Sequence, residues 1–212
     1  MKKSLSLGSL VITAALTFPA FVTAAPILGQ GLPTDNVNLA GGTVIDFEST
    51  GVVNVPSLSI SGVTFTGNTN IEVDSDFAGN YNTRGTFHMT NHGSGPDSFR
   101  FDFDAPVDAF AFLWGAADYD WTLSAFNGNT LLETLILNPT RGSNLGDYFG
   151  IAHAGMTHAT LTGNFIDYVF IDNFTVKSAD VSAVPVPAAV WLFGSGLMGL
   201  LGFNRKRAQS AA

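Results

Sequence analysis

Three pairs of acidic residues stand two positions apart: Asp74/Asp76, Asp102/Asp104 and Asp118/Asp120. On an extended strand such residues share a face, with their carboxylates about 6–7 Å apart. That spacing suits a divalent cation or, loosely, an acid/base pair acting on a glycosidic bond. The competing reading is the solvated face of an alternating strand, and Asp102/Asp104, opposite the phenylalanines of SFRFDF, reads that way. In DSDFAGN, Asp74, Asp76 and Gly79 take the first, third and sixth places of a calcium loop. Ala78 stands fifth and Gly85 twelfth, where a bidentate Glu is required, so this is no EF-hand.

The histidines are His88, His92, His153 and His158. His88 and His92 have the spacing of a helical zinc pair, but their surroundings are strand and turn. On a strand the two lie about 13 Å apart, too far for one ion. Ser94, in HGSGP, lacks the strand-to-helix setting of a nucleophile elbow. No phosphate loop or dinucleotide fingerprint is present. Aromatics at turns remain: Tyr119 and Trp121 flank Asp120 and form a candidate ligand face for stacking a sugar ring. Burial competes for Trp121, which opens a strand.

The elements that must carry these residues are short and alternating. VIDFE (44–48), VTFT (63–66), SFRFDF (98–103), DAFAFLW (108–114), WTLSAF (121–126), LLETLIL (131–137), HATLTG (158–163) and DYVFIDNFTV (167–176) read as strands. Turn signals such as Asn127-Gly128-Asn129 and Ala105-Pro106 separate them. Phe99, Phe101 and Phe103 form one inward row, and Phe110, Phe112 and Trp114 a second. The two rows either face each other across a sandwich or pair as neighbours. The expected fold class is all-β, a jelly-roll-like β-sandwich. Many sugar-binding modules of that shape hold a structural calcium between an early acidic residue and one on the last strand. Glu48 and Asp172 occupy those places, with Asp46 and Asn173 beside them. No other cofactor is expected.

The 212 residues carry a net charge of −8 and no cysteine. Without cysteine there is no disulfide, thiolate nucleophile or cysteine zinc site. Between the chain ends, four basic residues (Arg84, Arg100, Arg141 and Lys177) face all 17 acidic ones, a balance of −13. Such a body repels nucleic acid and anionic lipid and attracts cations. With 18 Phe and 23 Gly, it suits an aromatic core joined by many turns.

Both ends differ from the body. Lys2 and Lys3 precede the apolar stretch Leu5–Phe18 and then small residues, which predicts a secretory signal peptide cut after Ala24. Near the other end, no residue from Val181 to Asn204 is charged. The 20 residues Val184–Phe203 have the length to cross about 30 Å of hydrocarbon. Arg205, Lys206 and Arg207 act as a stop-transfer cluster that stays cytoplasmic. Pro185 and Pro187 bar a regular helix across themselves and bias Val184 and Val186 to extended geometry. The helix therefore starts near Ala188, and Val184–Pro187 is an accessible extended peptide. It is either a recognition site for a processing enzyme or the mere start of a plain single-pass anchor.

The stretch VPVPAAVWLFGSGLMGLLGFNRKR resembles the PEP-CTERM sorting signal of Gram-negative bacteria, in the variant that opens Val-Pro-x-Pro-Ala-Ala. The resemblance implies export by the general secretion machinery and signal peptidase, then recognition by an exosortase at the inner membrane. It also implies removal of the helix and association with extracellular polysaccharide. Val186 stands where the name-giving motif has Glu.

The expected organisation is a signal peptide (1–24), a loose leader (25–42), the sandwich (43–178) and a proline linker with the sorting motif (179–187). A transmembrane helix (188–204) and a basic cytoplasmic tail (205–212) follow. The expected function is a non-enzymatic protein of the cell envelope or extracellular matrix that binds polysaccharide, with no nucleic-acid partner. The alternatives are an extracellular polysaccharide hydrolase or lyase using body carboxylates, and a permanently anchored surface protein.

Overall fold

A computed structural model describes residues 24–91, 97–163 and 167–179. The expected signal peptide, His92, Ser94, the expected sorting motif, the expected transmembrane helix and the basic residues Arg205, Lys206 and Arg207 lie outside the described residues. Among the described residues, no helix is long and apolar enough to cross a membrane.

Ten strands form there: β1 (Ala25–Gly29), β2 (Thr43–Ile45), β3 (Val53–Ile60), β4 (Val63–Asp74), β5 (His88–Thr90), β6 (Ser98–Gly115), β7 (Trp121–Asn127), β8 (Thr130–Leu137), β9 (Tyr148–Thr162) and β10 (Phe170–Ser178). All pairings are antiparallel, in the order β2-β10-β5-β4-β6-β9-β7-β8, with β1 on β9, β3 on β4 and a further β10–β6 pairing. The ring β6-β4-β5-β10-β6 closes the sheet on one side.

SFRFDF and DAFAFLW are the two arms of one bent strand. A straight strand would put Phe101 and Phe112 about 36 Å apart at ~3.3 Å per residue. Their ring centroids lie 5.8 Å apart, and those of Phe103 and Phe110 lie 5.5 Å apart. The chain therefore doubles back around Pro106, where the register against β9 shifts on both sides of Val107. Strand β9 turns the same corner at Gly155, whose φ of +76° suits a residue without Cβ. The Gly155 N–H donates to Asp108 Oδ1 at 3.1 Å, tying the two bends together. Strands that change layer at such corners make the two faces of a sandwich. The aromatic rows thus face each other across the interior and are not hydrogen-bonded neighbours.

Phe174 of β10 fills the space between them. Its ring stacks on Phe112 (5.6 Å) and Phe110 (5.8 Å) and meets Phe101 (5.0 Å) and Phe65 (5.1 Å) edge to face. Each buried side chain contributes about 1.5–3 kcal/mol by area, and each ring pair about 0.5–1.5 kcal/mol more.

The second arm of β6 is buried on both faces. Its outward Ala109, Ala111 and Leu113 pack with Ile27, Leu39 and Tyr148 in a second apolar cluster. That cover comes from the stretch expected to be a loose leader. It holds strand β1, which pairs with β9 from Ala25↔Ala152 to Gly29↔Tyr148, and two short 3-10 turns. Other boundaries also move. Strand β2 stops at Ile45, because Phe47 takes a left-handed backbone with φ of +58° and turns its ring into the core. Strand β10 starts at Phe170, and β3 and β5 join the sheet although no strand was expected at either.

Candidate functional site

The loop between β4 and β5 builds one end of the sandwich. It begins with an Asx turn, in which Asp76 N–H donates to Asp74 Oδ1 at 3.1 Å. Left-handed backbone follows at Phe77, Gly79, Tyr81, Asn82 and Gly85. Such geometry persists in bulky residues only where surroundings impose it. Buried Asn82 is one tether: its Nδ2 donates to Trp114 O (2.8 Å) and Asp147 Oδ2 (3.1 Å), and its Oδ1 accepts from Gly146 N–H (2.8 Å). Gly115 permits the close approach, since a Cβ there would lie 1.6 Å from Tyr81 O.

Glu48 and Asp172, the candidate calcium ligands, are the other tethers. Glu48 Oε1 accepts from Thr86 N–H (2.6 Å) and Phe87 N–H (3.0 Å). Asp172 Oδ2 accepts from Arg84 N–H and its Oδ1 from Asn173 N–H, both at 2.6 Å. Asp46 Oδ1 accepts from Glu48 N–H at 3.2 Å. These carboxylates therefore staple the 84–87 segment. Among the described residues, no three His, Cys, Asp or Glu side chains are grouped to hold a metal ion. Asp172 is only 1% exposed. Burial pushes its carboxyl up to about 7; the two N–H donors oppose the rise, and Glu48 and Asp46 add to it.

Beside this loop lies a cleft of about 350 Å³. Phe77, Tyr81, Tyr168 and Phe170 make one wall, and Asp118 and Arg141 stand on the other. The rings brace one another edge to face: Phe77 to Tyr81 at 5.6 Å, Phe77 to Tyr168 at 6.0 Å and Tyr168 to Phe170 at 4.9 Å. Phe77 is 51% exposed despite this packing. Of the lining residues, Phe77, Tyr81, Ala116 and Arg141 all have positive φ. The Tyr168 hydroxyl is pushed up to about 12 by burial, then by the charges of Asp74, Asp76 and Glu72.

The opposite wall hangs on Asp167. Its carboxylate accepts from Asp118 N–H at 3.1 Å, Tyr119 N–H at 3.3 Å and Trp121 Nε1–H at 3.0 Å. Arg141 is placed by its own N–H, which donates to Ala117 O at 2.9 Å. Its Nε lies 4.0 Å from Asp118 Oδ1, a loose pairing between side chains 74% and 67% exposed.

The structure separates the expected ligand face. Tyr119 is 48% exposed, but Trp121 is 1% exposed and offers no stacking surface. This corrects the pairing of the two: Trp121 packs against Trp114 and Phe99 and spends its N–H on Asp167. Asp102 is forked by Arg100 on an exposed face, as a solvated alternating strand predicts. His88 lies buried on β5, 3.3 Å from Asp74. Burial lowers its pKa against the pull of Asp74, Asp76 and Glu48. The sequence pattern did not single out Phe77, Tyr81, Tyr168 or Arg141. The signal available was aromatic residues set among turn formers in DFAGNYN.

An all-β antiparallel body with an aromatic cleft at one end defines the described part of the chain. Comparison with known proteins adds the tail: residues 183–207 match the PEP-CTERM protein-sorting motif. That motif implies an exported precursor that passes the membrane and is processed by an exosortase. No curated protein matches the chain. Among solved structures, the body is similar to TmCBM61 in complex with β-1,4-galactotriose, with 14% identity, 63% of this chain and 94% of that chain covered, and a TM-score of 0.32.

Proposed function

We propose that this chain is an exported, non-enzymatic protein of the cell envelope or extracellular matrix, delivered by its tail and holding polysaccharide with its body. The observation that carries delivery is the match at 183–207 to the sorting motif. The Val-Pro-x-Pro-Ala-Ala form of the motif supplies, at Val184–Pro187, the sequence that a processing enzyme recognises. Arg205, Lys206 and Arg207 hold the precursor in the inner membrane until the cut. The body is a jelly-roll-like sandwich whose strands position the cleft.

The cleft supports the polysaccharide reading. Sugar rings offer C–H faces that stack on aromatic side chains, and hydroxyls that bond to charged groups. Phe77, Tyr81 and Tyr168 supply the first, and Asp118 and Arg141 the second. Asp172 is buried and stapled to backbone amides, so it faces no substrate. Deleting residues 184–207 in the native host tests delivery. The truncated protein should leave the envelope fraction and appear free in the medium. An unchanged distribution would refute sorting by the tail.

A further inference from the structure

We propose that the cleft selects a cationic amino sugar, an unacetylated glucosamine-type residue of an exopolysaccharide, over neutral or acidic sugars. This rests on the polysaccharide reading above and names its ligand class. Three features carry it. The first is the wall of Phe77, Tyr81 and Tyr168, whose ring faces attract an ammonium as well as a sugar face. The second is the surrounding field. Asp118 stands in the cleft, while the charges of Asp74, Asp76 and Glu72 act on the Tyr168 hydroxyl. The body as a whole has four basic residues against 17 acidic ones. An anionic polymer meets repulsion there, and a polyamine meets attraction at long range.

The third feature is the state of the local cation. Arg141 is held by its backbone, but its side chain is 74% exposed and 4.0 Å from Asp118. That distance is too long for a direct hydrogen bond. The guanidinium therefore occupies the position weakly, and a ligand ammonium displaces it from Asp118 at little loss. The freed guanidinium is then available to a ring hydroxyl. An N-acetylated sugar has no charge to offer Asp118 and leaves the Arg141 pairing as it stands.

The test is calorimetric titration of the full chain, solubilised in detergent without a sugar headgroup, with three hexamers: β-1,4-glucosamine, its N-acetylated counterpart and α-1,4-galacturonate. The glucosamine hexamer should bind roughly tenfold more tightly than the N-acetylated one, the range that cation–π and carboxylate contacts give. Galacturonate should not bind. Asp118→Asn, a surface change that leaves the fold intact, should erase that preference. Phe77→Ala should weaken both amino-sugar hexamers. Equal or tighter binding of the acetylated or uronate hexamer would overturn the amino-sugar assignment and leave polysaccharide binding standing. Loss of affinity in Asp102→Asn as large as in Asp118→Asn would also overturn it, by showing only general attraction to an acidic protein. If no hexamer binds, the polysaccharide reading itself falls.

Discussion

Asp172 makes the fold's stability depend on pH in a direction opposite to that of an ordinary salt-bridged carboxylate. Its carboxyl is raised from 3.8 to about 7 in the folded protein. The unfolded chain therefore ionises it first, and the folded chain holds its proton longer. The stability it contributes is full below about pH 3.8 and is lost as pH rises through about 7. Between pH 5 and pH 8 the loss is about 2–3 kcal/mol, taking 3.8 and about 7 as the two values. His88 works the other way. Its lowered pKa means that stability is gained as pH rises from the lowered value toward the ordinary histidine value of 6.5 and is complete above it. The measure is therefore the difference between wild type and Asp172→Asn, in which His88 cancels. Urea unfolding followed by Trp fluorescence at pH 5, 6, 7 and 8 gives both curves. Wild type should lose about 2–3 kcal/mol relative to the variant across that range. Parallel curves, or a wild type that gains on the variant, would refute the burial argument for Asp172.

Other residues give equally definite outcomes. Phe174→Ala removes the ring between the two arms of β6 and should cost about 3–5 kcal/mol of unfolding free energy, read from urea midpoints. Asp167→Ala orphans three N–H donors and should cost about 3 kcal/mol or more in the same assay; a loss below about 1 kcal/mol would show that the 118–121 loop holds itself. Phe77→Gly relieves a left-handed backbone while removing an exposed ring, so stability should stay within about 1 kcal/mol while binding of amino-sugar hexamers drops. Because backbone amides already engage Glu48 and Asp172, adding calcium or chelator should leave the melting temperature unchanged, and a rise of several degrees with calcium would assign them to the ion instead.

The aromatic rows were legible because strand alternation is local. Phe99, Phe101 and Phe103 turn inward wherever the strand goes. Their meeting with Phe110 and Phe112 was not, because it depends on a corner shared with β9 some fifty residues away. DAFAFLW carried a clue to its double burial: no polar residue interrupts its second half, as expected of a strand covered on both faces. What covers it, Ile27 and Leu39, comes from a Gly/Pro-rich stretch whose composition reads as loop. Tertiary packing overrode that local signal. Glu48 and Asp172, paired in the sequence as possible calcium ligands, both hold the same loop. Their N–H partners at Arg84, Thr86 and Phe87 had no pattern to announce them. The cleft was missed for the same reason. Its residues come from four separate loops and β10, and the positive φ values of Phe77, Tyr81, Ala116 and Arg141 record a tertiary constraint that no residue type signals.

The account turns on the tail being a delivery signal that is removed once used. Intact-mass and C-terminal peptide analysis of the protein recovered from the surface of its native host tests this most directly. The prediction is a mature chain ending between Val184 and Ala188, with no peptide from Leu192–Phe203. A surface-exposed chain that runs unbroken to Ala212 would contradict it.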